Sequence, residues 1–251
     1  LALMLLERCG LGLSTEEVAR AWLRLLPAAS TWTAERAAYR TLLERADELF
    51  AYGTPPGFDL AECARNEYSD WIGAQIRADM YGWVCPGRPE LAANLARRDA
   101  ALSHTGDGIH GAAFVAGLGG AIPAAESLDE AVDVAYDQVP GGTGVSEAIS
   151  FARSLVGADH AVERIHERYK GLSPVHTVNN LALVVWALLS RQYDYSATVG
   201  DVVAAGWDTD CNGATVGGLW GLTGRPIPEH WMAPWQGRVA VTLAGVGELD
   251  L

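Results

Sequence analysis

Thr177-Val178-Asn179-Asn180-Leu181-Ala182-Leu183-Val184-Val185-Trp186-Ala187-Leu188-Leu189 decides how this chain folds. The run is apolar on nearly every side, and a helix that is hydrophobic all round belongs in the middle of a protein. Its most apolar part, Leu181 to Leu189, is far shorter than the roughly 20 residues needed to span a bilayer. It therefore reads as a central core helix, entered through Ser173-Pro174-Val175-His176. Downstream, Ser196 to Ala205 predicts one more helix, which runs into Gly206-Trp207-Asp208-Thr209-Asp210-Cys211-Asn212-Gly213-Ala214-Thr215-Val216-Gly217-Gly218.

That second stretch places two carboxylates, Asp208 and Asp210, between a helix that has just ended and a glycine-rich helix about to begin. Gly213, Gly217, Gly218 and Gly221 put small residues on nearby helical faces, so another backbone is expected to come close. Asp is a preferred N-cap, and either carboxylate can simply cap the helix. Oxygen-rich sites also suit hard cations such as Mg²⁺, held by one or two carboxylates with water and substrate oxygens. One cap needs one residue, whereas Asp208, Thr209, Asp210, Cys211 and Asn212 come in a row, which favours the cation site. Two ligands do not complete one.

Upstream, the chain predicts helix after helix. Leu1 to about Cys9 is ended by Gly10 and Gly12, and Ser14-Thr15-Glu16-Glu17 is a capping box ahead of Val18, Trp22, Leu25 and Leu26. Thr33 to Phe50 predicts one long helix burying Ala38, Leu42, Ala46, Leu49 and Phe50, broken by Thr54-Pro55-Pro56-Gly57. These first helices read as scaffold. Glu67 to Met80 mixes apolar residues with Gln75, Arg77 and Asp79. Arg77 is suited to bind a phosphate or steady a carboxylate ligand, or equally to pair with Asp70 or Asp79.

Glu90 to Ala101 predicts another helix. Ser103-His104-Thr105-Gly106-Asp107-Gly108-Ile109-His110-Gly111 reads as a loop entering a small-residue helix, Ala112 to Ala121, whose first N–H groups can receive an anion. His104 beside a serine is more often a local hydrogen-bonding residue than a ligand contact. Ser127 to Glu130 is a second capping box, and Gly141-Gly142-Thr143-Gly144 is a turn, lacking the Lys-Ser/Thr ending of a phosphate loop. Ser146 to Val156 and Ala158 to Tyr169 predict helices. His160 and His166 lack the His-Glu-x-x-His spacing of a zinc site. The tail after Arg238 alternates weakly around Val239, Val241 and Leu243 and reads as a short strand or a loop.

With 251 residues and no internal linker or repeat, one all-α domain over residues 1–251 is the economical expectation. Hydrophobic residues make up 49% and charged residues 20%, and the net charge is −13. That charge argues against binding nucleic acid or an anionic membrane, although bound cations reverse a local field. Cys9, Cys63, Cys85 and Cys211 form no Cys-x-x-Cys pair and no signal peptide is visible, so a reduced, cytoplasmic setting is expected.

The run from Gly206 to Gly218 resembles the C-terminal metal motif of the ADP-ribosylglycohydrolase family, which includes the dinitrogenase-reductase-activating glycohydrolases. Ile72-Gly73-Ala74-Gln75-Ile76-Arg77 is similar to that family's Asn-Gly-x-x-Met-Arg segment, and Leu102-Ser103-His104 to its Ser-His segment before a small-residue helix. The resemblance covers about Leu1 to Gly224 and implies a compact all-α fold. It further implies two Mg²⁺ ions, or Mn²⁺ in some members, at the floor of a cleft, and hydrolysis of the bond between ADP-ribose and a protein side chain or small acceptor. Asp208 and Asp210 would be ligands, with Cys211 standing where many members have a hydroxyl ligand; a thiol is a poor partner for Mg²⁺. Gly73, Gln75, Arg77, His104, Gly106 and Gly108 would lie on the substrate side, and Ile72 replaces an Asn there.

The family's other ligand set, a Thr-Asp-Asp motif just before a helix resembling Leu1 to Glu7, does not occur in this chain. The expectation is a piece of a longer protein. Besides the ADP-ribosyl hydrolase, the residues leave open a ribosyl hydrolase of a nucleoside-like metabolite and a non-catalytic ADP-ribose-binding relative.

Overall fold

The computed structural model describes residues 1–50, 57–240 and 247–250, the side chains of 49 and 50 excepted. The all-α expectation holds: among the described residues there are fourteen α-helices and one two-stranded antiparallel ribbon. α1 (Ala2–Cys9) ends at Gly10, and the capping box closes at Ser14 and Glu17 to start α2 (Thr15–Leu25). α3 (Thr33–Glu44) buries Ala38 and Leu42 as expected. The single helix predicted to Phe50 is instead interrupted at Arg45, before α4 (Ala46–Phe50). Arg45 binds Glu48 and Glu62 and lies over the Phe58 ring at 4.4 Å, so its side chain serves contacts outside the helix. Residues 54–56 of the expected breaker, and the side chains of Leu49 and Phe50, fall outside the description.

The mixed segment before Met80 becomes a 3-10 stretch, Ile72–Arg77, followed by α5 (Asp79–Trp83). Six residues is long for a 3-10 helix. Tertiary bonds hold it: Ile72 N donates to Val175 O, Thr177 N donates to Asp70 O, and Trp71 bridges His176. α6 (Pro89–Ala100) leads to α7 (Gly106–Ala121), which begins at Gly106 and not at Ala112. Gly106 and Gly108 therefore belong to its first turn and not to a loop. α8 (Leu128–Tyr136) has half of its expected capping box: Ser127 accepts from Glu130 N, but the Glu130 carboxylate takes Glu126 N. α9 (Gly144–Ser154), α10 (Ala161–Tyr169), α11 (Thr177–Ser190), α12 (Tyr195–Ala204), α13 (Thr209–Gly221) and α14 (Glu229–Met232) follow. In the tail, β1 (Arg238–Ala240) pairs with β2 (Glu248–Asp250), Val239 opposite Leu249; Val241 and Leu243 lie outside the described residues.

α11 is the core helix its sequence predicts, with every residue from Thr177 to Val185 buried. It packs on α7, α9, α12 and α13. A close approach of two helix backbones lies elsewhere. A Cβ on Gly82 of α5 would stand 2.9 Å from Ala116 O and from Gly119 Cα of α7, so α5 and α7 touch main chain to main chain. The glycines of α13 make room for side chains instead: Gly213 for Val203, Gly217 for Tyr195, Gly218 for Trp83 and Asp79. Among the described residues no helix is long and apolar enough to cross a membrane.

Asp79, facing Gly218, has a buried Oδ1 with no hydrogen-bond partner, and burial pushes its pKa up to about 7. Its folded pKa thus lies above the unfolded value, so the relative stability it contributes is complete below about pH 4 and lost as pH rises through about 7. Urea unfolding at about pH 5 and about pH 8 should show wild type losing stability over that interval. Asp79→Asn should remove most of the loss; an unchanged slope would refute the assignment.

Candidate metal centre and cleft

The carboxylate pair is delivered by a sharp turn. Gly206 has φ 86° and Trp207 φ 58°, so a large residue sits in the left-handed region at a cost of about 1–3 kcal/mol. Stacking offsets that strain: the Trp207 ring lies 4.0 Å from the His166 ring at 28°, and His166 Nε2 is 2.7 Å from Ala205 O. His166 is thus a support for the turn. Asp208 then takes the N-cap position of α13 without a well-formed side-chain capping bond, its carboxylate lying near the Cys211 backbone N–H and thiol.

Asn180 of α11 fixes the turn from below. Its Oδ1 accepts from Asp208 N at 3.1 Å and from Asn212 Nδ2 at 2.8 Å. Its Nδ2 donates to Pro174 O and to His176 O, both at 2.8 Å. Asn180 is fully buried. Sequence reasoning passed over it, although an amide in an otherwise apolar helix is itself a signal, because buried polar groups need partners.

Asp208 and Asp210 carboxylate oxygens and Cys211 Sγ all lie within 4.8 Å of one another, with Asp210 exposed and the other two half-buried. Burial raises the pKa of Asp208, and the neighbouring Asp210 adds to the rise. Burial, then Asp208, pushes the Cys211 thiol up to about 12, so it carries its proton at neutral pH. Two adjacent carboxylates suit a hard divalent cation, whose charge would reverse these shifts. The protonated thiol does not suit Mg²⁺.

Asp208 and Cys211 open onto a cleft of about 460 Å³. Leu1, Trp22, Leu26, Trp32, Trp71, Ile72, Ile76 and Val175 wall it, with Ser30, Thr31, Thr33, Glu35 and Arg77 as its polar lining. Of the six residues expected on the substrate side, Gly73 and Arg77 line this cleft and the other four do not. Gln75 is fully buried, with neither end of its amide hydrogen-bonded, and packs near Gly111. His104 is fully buried, with Nδ1 2.8 Å from Ser103 Oγ, and burial drives its pKa well below the usual range, so its ring is neutral. Gly106 leaves space for Asp70, and Gly108 lets Ser69 O approach α7. The packing of α7 therefore accounts for both glycines.

Arg77 has its acceptors inside the protein. Nη1 bonds Glu35 Oε1 at 2.5 Å and Gly73 O at 3.1 Å, Nε bonds Asp99 Oδ2 at 2.8 Å, and Nη2 bonds Ser103 Oγ at 3.0 Å. Arg77 thus pairs with Glu35 and Asp99, and not with Asp70 or Asp79. Glu35, Trp22 and Trp32 were not visible as site residues in the sequence, because they come from segments that read as scaffold.

A helical scaffold thus places two carboxylates and a thiol at a helix start beside a cleft. The ADP-ribosylglycohydrolase family description matches residues 1–249, and the chain belongs to that family. No curated protein and no solved structure matches it.

Asn180→Leu should cost about 2–5 kcal/mol in urea unfolding, because it strands Asp208 N, the Asn212 amide and two carbonyls. A loss within about 0.5 kcal/mol would show that the turn stands without it.

Proposed function

We propose that this chain cleaves the bond between the anomeric carbon of an ADP-ribose unit and a protein side chain or small acceptor, with divalent cations held at Asp208 and Asp210. Family membership implies hydrolysis of ADP-ribose glycosidic linkages. The observation that carries the finer reading is the convergence of Asp208, Asp210 and Cys211 at the edge of the aromatic cleft. Two Mg²⁺ ions, or Mn²⁺, are the expected metals. Bound there, they would supply Lewis acidity and orientation for ribose hydroxyls and water.

The chain's own residues do the rest. Asn180 fixes the turn that carries Asp208, and Trp71, Ile72 and Val175 exclude water from the wall beside it. Cleavage at an anomeric carbon builds positive charge on the sugar, as in glycoside hydrolysis generally, and the carboxylates of the cleft favour that charge. A thiol is a poor partner for Mg²⁺, which leaves Asp208 and Asp210 as the oxygen donors.

One observation favours a second reading, hydrolysis of a nucleoside-like metabolite. Arg77 lines the cleft, yet Glu35, Asp99 and Ser103 already occupy its guanidinium, so a diphosphate gains little from it.

Incubation with ADP-ribosylated arginine or serine peptides and with free nucleosides, each with Mg²⁺, Mn²⁺ or chelator, separates the readings. Metal-dependent release of ADP-ribose is expected; product from nucleosides alone selects the second reading. Tight ADP-ribose binding without product points to a non-catalytic relative. Asp208→Asn and Asp210→Asn should each lower turnover by more than about 100-fold, beyond the usual loss at supporting residues, with helicity unchanged. Unfolding of either variant with unaltered metal affinity would restore the capping role.

A further inference from the structure

Arg77, His104 and Gly73 converge on one side chain, Glu35, in the first turn of α3. Arg77 Nη1 bonds its Oε1 at 2.5 Å. His104 Nε2 lies 3.9 Å from the same oxygen, buried and with no hydrogen-bond partner. Gly73 is where it must be: a Cβ there would collide with both carboxylate oxygens. The carboxylate is mostly buried, at 17% side-chain exposure, yet it lines the same cleft as Asp208 and Cys211. Arg77 has a second, more buried counter-ion in Asp99, at 7% exposure, so neutralising Arg77 does not by itself require a carboxylate on the cleft wall.

We propose that Glu35 is the substrate-anchoring carboxylate of this cleft, accepting hydrogen bonds from sugar hydroxyls held opposite the Asp208–Cys211 turn. The inference rests on the glycosidase reading above. Arg77 takes Oε1 of Glu35, so a hydroxyl delivered among Trp22, Trp32 and Ile76 can be bound at the other oxygen by a charge-assisted hydrogen bond shielded from water. Arg77 and His104 are positioning residues. Arg77 fixes the carboxylate by an ion pair, and the neutral His104 ring backs it without adding charge. Gly73 admits the carboxylate and leaves the cleft side open.

The test is calorimetric binding of ADP-ribose and of adenosine in the presence of Mn²⁺, with Mn²⁺ affinity and melting temperature measured on the same samples. Glu35→Gln keeps the shape and removes the charge. It should weaken whichever of the two sugars wild type binds by about 10- to 100-fold, raise KM more than it lowers kcat, and leave Mn²⁺ affinity within about twofold. Gly73→Ala, which displaces the carboxylate while retaining it, should reproduce the binding loss and decides the matter if Glu35→Gln fails to fold. Asp99→Asn, which takes the other counter-ion from Arg77, should lower the melting temperature without that loss of sugar affinity. Undiminished sugar binding by a folded Glu35→Gln, or equal weakening by Asp99→Asn, makes Glu35 only a counter-ion and overturns the proposal. Wild type that binds Mn²⁺ but neither sugar defeats the glycosidase reading itself, and the proposal with it.

Discussion

Four hydrogen bonds from one buried amide tie the site together. Asn180 reaches up to Asp208 N and Asn212 and down to the carbonyls of Pro174 and His176. The second pair matters as much as the first. Val175, between those carbonyls, accepts from Ile72 N, so the strip that walls the cleft at Trp71 and Ile72 is referenced to the same amide as the carboxylate turn. Two sides of the cleft, more than 100 residues apart in sequence, therefore share one anchor in the most buried helix. An amide suits this position, because it donates and accepts at once and remains neutral in the core.

Charge is layered outward from that anchor. Asp99 lies behind the wall, Arg77 and Glu35 are paired on the cleft side of it, and Asp208 and Asp210 sit beside the opening. His104 is held neutral by burial and the nearby guanidinium, so it leaves the balance of Arg77 against two carboxylates undisturbed. An unpaired charge at this depth would cost several kcal/mol, which is why Arg77 is committed inward. Arg77, which itself lines the cleft, therefore meets whatever enters with its charge already balanced by Glu35 and Asp99.

Periodicity and composition made the helices legible. The all-round apolar run of α11, the capping box at Ser14 and the carboxylate turn at Asp208 each follow from local chemistry, and each stands where it was read. What failed to show was whatever tertiary contact decides. α7 starts at Gly106 because its glycines pack against Ser69 and Asp70, a constraint absent from its own sequence. The Ile72–Arg77 stretch is 3-10 because strand-like bonds to Val175 hold one end, and no periodicity announces that. Glu35 looked like one more polar residue on an amphipathic scaffold helix. Its place on the cleft depends on Gly73, 38 residues away, having no side chain.

The chemistry of the opening sets a rule for what the cleft can hold. The charge-bearing side chains among the described residues of its lining are Glu35, Asp208 and an Arg77 already paired with Glu35 and Asp99, so the lining offers an anion no uncommitted side-chain cation. On the proposed reading, a diphosphate-bearing substrate needs the cations for affinity as well as for chemistry, since they supply the uncommitted positive charge. A neutral nucleoside needs them for chemistry only and takes its affinity from Trp22, Trp32 and Trp71, whose faces favour a stacked ring. Metal dependence of binding, as distinct from metal dependence of turnover, is thus the property in which the two substrate classes part, and the carboxylates of the cleft lining are the cause.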